Sequence, residues 1–221
     1  MGGAGPIRTL SADFYATPDG GVATAGCSGM QSGSCCYSGP PDGGAFPPGP
    51  TYVSAGAITV KDGSSTIATM MPDTSNTYTA PNATWTGGDM LSFTATGATI
   101  DAFTATVQTP AFPAGVQPVI SDTSMLTVPQ SSDFTVTWTG GTASAVDDLF
   151  VTAVGGGSIR CYDVPDTSGK ITVSSTLLAN MTKGATLSIT LYRFVITTAS
   201  APNATVTVGA GVELIGRGTL Q

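Results

Sequence analysis

Between Phe134 and Thr139 the chain alternates large apolar side chains with threonine: Phe134, Val136 and Trp138 against Thr135, Thr137 and Thr139. Successive side chains of an extended backbone point opposite ways, so a period of two marks a strand with one covered face and one open face. Gly140-Gly141 ends the run, because glycine adopts the backbone angles that close a ladder. A polar loop follows, then a second extended run at 149–154. It is apolar on both phases, as expected of a strand covered more fully. Trp138 is expected in the core of this pair, where one buried aromatic is a large share of a small sandwich.

Similar runs recur on both sides. Residues 57–60 and 66–71 flank Asp62-Gly63, a tight-turn pair, and read as a hairpin. Short strands are expected at 77–80, 89–96 and 103–109. A proline-rich joint, TPAFPAGVQP, follows at 109–118. Beyond it strands are expected at 124–128, 134–139, 149–154, 158–162, 170–173, 186–196, 205–208 and 212–215. Residues 174–181 are the one segment with a helical pattern, with Leu177, Leu178 and Met181 on one face. Residues 1–50 lack sustained periodicity and read as an irregular arm that ends in the stiff FPPGP. The predicted fold is all-β, with one or two Ig-like antiparallel sandwiches behind an irregular N-terminal arm that contains Gly, Pro and Cys. The arm is 1–50, the first unit 51–109 and the second 119–221. Trp85-Thr-Gly-Gly88 echoes Trp138-Thr-Gly-Gly141, as two related sandwiches would.

The composition narrows the chemistry. Only 10% of the 221 residues are charged, and the net charge is −7. The seven basic residues are scattered, so no basic patch exists to displace counterions, and a nucleic-acid partner is not expected. No run approaches the roughly 20 apolar residues of a membrane-spanning helix. Histidine is absent, which removes the commonest general base and most metal sites. Of the 14 acidic residues only Glu213 is a glutamate. Asp147-Asp148 is the sharpest candidate for a carboxylate pair, but neighbours on a strand face opposite ways, so a solvated loop end is the plainer reading. An aspartate-dependent glycoside hydrolase is therefore disfavoured. No cofactor is expected except calcium, for which Asp163 and Asp166 in DVPDTSG are the candidate ligands. The competing reading is a turn closed by its own side chains.

Cys27, Cys35, Cys36 and Cys161 make an even count in a low-charge β chain, which suggests an oxidising compartment. Three pairings are possible. Cys161 is expected to join one of the adjacent pair, and Cys27 the other. The residues before Cys27, DFYATPDGGVA, are not the apolar lead that lipid attachment requires, so Cys27 is expected as a disulfide cysteine. Any export signal is expected to lie outside these residues.

AGAITVKDG, WTGGDMLSFTATG, IDAFTATVQTP, DFTVTWTGG and IRCYDVPDTSGKITVSSTLLANM together resemble a group of exported proteins and lipoproteins of myxobacteria. The resemblance covers roughly residues 53–210. It implies Ig-type sandwich modules behind a Cys-containing arm and a secreted or cell-surface location, and it implies no reaction. The expected function is a non-catalytic surface protein with a structural or adhesive role. The alternative is a module that binds carbohydrate or another polymer, with Trp85, Tyr162 and Tyr192 as candidate contacts. The expected partner is a surface polysaccharide or another surface protein.

Overall fold

The computed structural model describes residues 7–13, 29–39, 52–81 and 83–221. In chain order the strands are β1 (Ile7–Asp13), β2 (Met30–Ser32), β3 (Cys35–Ser38), β4 (Ile58–Asp62), β5 (Ser65–Met70), β6 (Tyr78–Pro81), β7 (Met90–Ala95) and β8 (Phe103–Gln108). They continue with β9 (Ala114–Gln117), β10 (Met125–Val128), β11 (Phe134–Thr139), β12 (Val146–Ala153), β13 (Ser158–Pro165), β14 (Lys170–Val173), β15 (Thr186–Ala201) and β16 (Ala204–Leu220). One short helix, α1 (Ser175–Leu178), lies between β14 and β15. The chain is all-β, as its alternation predicts.

β15 and β16 form one long hairpin. They pair from Thr186↔Thr219 to Ala201↔Ala204 without a register shift. At about 3.3 Å per residue, 16 residues reach roughly 50 Å, enough to lie under two cores in succession. The hairpin is the spine of a nine-stranded sheet, eight strands of it in the order β2-β3-β13-β12-β15-β16-β1-β6 and the ninth, β10, beside β16 off this path. The free side of β16 carries two partners in tandem: β1 antiparallel at 207–213 and β10 parallel at 217–220.

Two smaller sheets cover one face of this spine. The four-stranded sheet β5-β4-β7-β8 closes the first core, with Ile58, Val60, Leu91, Phe93 and Val107 meeting Val195, Val206, Val208 and Val212 of the hairpin. The three-stranded sheet β14-β11-β9 closes the second, with Val136, Trp138, Ile171 and Val173 meeting Leu149, Val151, Leu187, Ile189 and Leu191. The cores therefore do not follow the division into 51–109 and 119–221. The first also takes in Leu10 from the arm and the tip half of the hairpin.

The sequence pattern missed the continuity of the hairpin. It ends one strand at 196 and splits the other into 205–208 and 212–215, with Gly209 and Gly211 falling in the gap. Pairing along both flanks of β16 holds the strand together instead. Gly216 and Gly218 have a packing reason. A Cβ on Gly216 would press on the Ser121 backbone, and one on Gly218 on the Leu126 carbonyl. Here glycine lets backbones approach closely.

The arm is also not irregular throughout. β1 lies between β16 and β6, and β2 and β3 extend the other edge of the sheet through β13. These strands are specified by the partners they join, which is why their own periodicity is weak. FPPGP and Cys27 lie outside the described residues. β9 arises inside the proline-rich joint. It is an edge strand, where flanking prolines leave no ladder donor missing. α1 is shorter than the expected 174–181, but it buries Leu177 and Leu178, and Met181 follows them into the second core.

Cys35 is joined to Cys161, its register partner across β3 and β13. Cys36 is disulfide-bonded as well.

Candidate functional site

The face of the spine sheet opposite the cores carries a second set of side chains. Alternation on β12 sends Leu149 and Val151 inward and Phe150 outward, and on β15 it sends Leu191 inward and Tyr192 and Phe194 outward. On β13 the outward residues are Arg160 and Tyr162, and on β16 they include Glu213 and Ile215. Phe150, Arg160, Tyr162, Tyr192, Phe194 and Glu213 are all half-buried.

Register gathers them. Phe150 faces Arg160 on one side, Asp148 faces Tyr192 on the other, and Tyr192 faces Glu213. The Arg160 guanidinium lies 4.2 Å from the Phe150 ring centroid and 4.4 Å from that of Tyr162, close enough for cation–π attraction to both. Its Nη2 donates to Asp148 Oδ2 at 2.9 Å, and the Asp163 amide donates to Asp148 Oδ1 at 2.8 Å. Tyr192 and Phe194 stack with centroids 5.4 Å apart. Gly211 makes room for the Tyr192 ring, since a Cβ there would overlap it.

Burial sets the electrostatics of this face. It raises the Asp148 carboxyl, against the lowering effects of the Asp163 amide and Arg160. It also raises Glu213. The Tyr192 hydroxyl is raised by burial, then by the negative charges of Glu213 and Asp148. Tyr192 is thus a neutral hydroxyl near physiological pH, able to donate and accept hydrogen bonds beside an aromatic surface.

Of the three aromatic candidates, two meet here and one does not. Tyr162 and Tyr192 lie on this face. Trp85 is 5% exposed in the first core, and Arg8 is stacked over its ring at 6.0 Å. The Trp85/Trp138 echo is one of position: each tryptophan anchors its own core.

The aspartates are rearranged more thoroughly. Asp147 and Asp148 are not a solvated loop end. They are the second and third residues of β12, and both are buried, on opposite faces. Asp163 and Asp166 do not converge on one cation. Asp163 is exposed on the Asp148 side, with φ of 50°. Asp166 is fully buried: Oδ1 accepts from Trp138 Nε1 at 2.8 Å and pairs with Arg193, and Oδ2 accepts from the Thr142 amide at 2.5 Å. Among the described residues no group of three or more Cys, Asp or Glu is placed to hold a metal ion.

Phe150, Arg160 and Phe194 were not singled out from sequence. The i, i+2 spacing of Arg160 with Tyr162, and of Tyr192 with Phe194, was the available signal. What was missing was the strand order that lays the two pairs on either side of β12. No protein-family model matches the chain, and neither does any curated protein.

Proposed function

We propose that this is an exported or cell-surface adhesive protein, non-catalytic and built from Ig-like modules, which holds a polymer on the outer face of its spine sheet. The observation that carries this reading is four half-buried rings on the face opposite both cores, Phe150 and Tyr162 flanking the Arg160 guanidinium and Tyr192 stacked with Phe194 on β15. Core packing does not call for aromatics there, and apolar groups grouped on an open face commonly mark a contact surface. The disulfides suit an oxidising compartment. Among the described residues no helix is long and apolar enough to cross a membrane.

A neutral polysaccharide fits this surface best. Sugar rings stack their C–H faces on aromatic side chains, while Tyr192, Glu213 and Arg160 offer hydroxyl partners beside the rings. A polyanion would meet Glu213 and a chain of net charge −7. The test is co-sedimentation of the oxidised protein with insoluble neutral and acidic polysaccharides at low and moderate salt. Retention on a neutral polymer, insensitive to salt, supports the reading. Retention confined to acidic polymers and lost with salt would contradict it.

A further inference from the structure

The inner face of the spine holds a buried charged cluster where the two cores meet. On β15, Arg193 lies between Leu191 of the second core and Val195 of the first. It is 1% exposed. Its Nε donates to Asp147 Oδ1 at 2.9 Å, and its guanidinium pairs with Asp166. Its Nη1 reaches the Ala111 carbonyl in the segment between β8 and β9 at 3.4 Å. The Asp166 amide in turn donates to the carbonyl of Ala145, a first-core residue, while Trp138 of the second core bonds the Asp166 side chain. The cluster is thus tied to both cores and to the chain between them.

Its charges do not balance. Two carboxylates with no exposure share one guanidinium. Both carboxyls meet that one guanidinium, Asp147 at Nε and Asp166 at Nη2, so two negative charges crowd a single cation. Asp147 Oδ2 is buried and has no donor among the described residues. A proton on one of the two carboxyls supplies that donor and removes the surplus negative charge.

We propose that Asp147, Asp166 and Arg193 form a proton-operated latch between the two sandwiches, closed while the two carboxyls share a proton and loosened when that proton leaves. The groups facing Asp147 are Arg193 from β15 and Asp166 from the turn after β13. β11 contributes the non-titrating Trp138 indole, and the segment between β8 and β9 contributes a carbonyl. On β12 itself Asp148 points to the opposite face, where Arg160 and the Asp163 amide engage it.

The direction of the response follows from Asp147. Burial first, then Asp166, pushes its carboxyl from the ordinary 3.8 up to about 7, against the opposing pull of Arg193. Between those values the folded chain binds more protons than the unfolded one. This contribution is therefore fully present on the acid side and is lost as pH rises through about 7.

The test follows thermal unfolding and amide exchange between about pH 5 and pH 8, in the wild type and in Asp147→Asn. Asparagine keeps an oxygen for Arg193 and donates permanently to Asp166. The wild-type midpoint should fall by on the order of 5 °C as pH rises, with exchange in 109–113, 142–147 and 166–169 rising beyond the intrinsic pH dependence of amide exchange, and the variant should fall clearly less, by what the raised Asp148 and Glu213 carboxyls still contribute. A level wild type, or a variant that falls in parallel, would overturn the latch. Carboxyl chemical shifts of 13C-aspartate-labelled wild-type protein give a second readout that needs no variant. One resonance should titrate near neutrality, and if all of them titrate in the ordinary acidic range the proposal fails.

Discussion

Asp147 and Arg193 are register partners on neighbouring strands β12 and β15, joined Oδ1 to Nε at 2.9 Å with both side chains out of solvent. They lie on the inner face of the sheet, where their nearest neighbours along the two strands are Leu149, Leu191 and Val195. Two sandwiches share one sheet here, and this pair marks the boundary between them.

Removing the cation should be costly. Arg193→Leu would leave two buried carboxylates without a counter-charge and the Ala111 carbonyl without its donor. The expected loss is about 3–5 kcal/mol, read as a lower urea midpoint at neutral pH. Arg160→Leu serves as the comparison. Arg160 is 41% exposed, so its pair with Asp148 is screened by solvent, and the loss should be clearly smaller. Equal losses would show that Arg193 is not the stronger tie.

The Cys35–Cys161 bond closes a long stretch of chain, with a sequence separation of 126. Replacing both cysteines by alanine should lower stability by about 2–5 kcal/mol. The effect should be regional. Amide exchange should rise most in 29–39, where β2 and β3 hang on the sheet edge through β13, and least at the hairpin tip in the first core. Hydrogen-exchange mass spectrometry checks this directly.

Gly211→Ala separates the outer face from the fold. The new methyl would overlap the end of the Tyr192 ring, a side chain that can swing away, so stability should change by no more than about 1 kcal/mol. The ring would leave its place beside Phe194, so polymer retention should drop several-fold. A large stability loss with retention unchanged would mean that the Tyr192 position serves packing alone.

Much of the fold was legible because it is local. The alternation of Phe134, Val136 and Trp138 placed β11 and its buried face, and Asp62-Gly63 placed the β4–β5 turn. Cys161 joined one of the adjacent pair as expected. What could not be read depends on distant partners. β1 owes its place to β16, some 200 residues away, and Asp147 finds its cation 46 positions later. Asp147-Asp148 reads as a loop end from sequence because strand neighbours face opposite ways and cannot share one site, and the sequence names no partner for either. Here Arg193 accounts for one and Arg160 for the other. The aromatic face was half legible for the same reason: Tyr162 and Tyr192 were visible as residues, but not as neighbours of the Arg160–Asp148 pair, Tyr162 against the guanidinium and Tyr192 opposite the carboxylate.

The outer face is tested most directly by adsorption of the oxidised protein to a panel of insoluble neutral polysaccharides, beside a Tyr162→Ala/Tyr192→Ala double variant shown by its urea midpoint to be folded. The wild type should be retained on at least one polymer, and the double variant should lose at least tenfold in affinity, about 1.4 kcal/mol. Retention of both proteins alike, or of neither on any polymer, would contradict the assignment of this face as the binding surface.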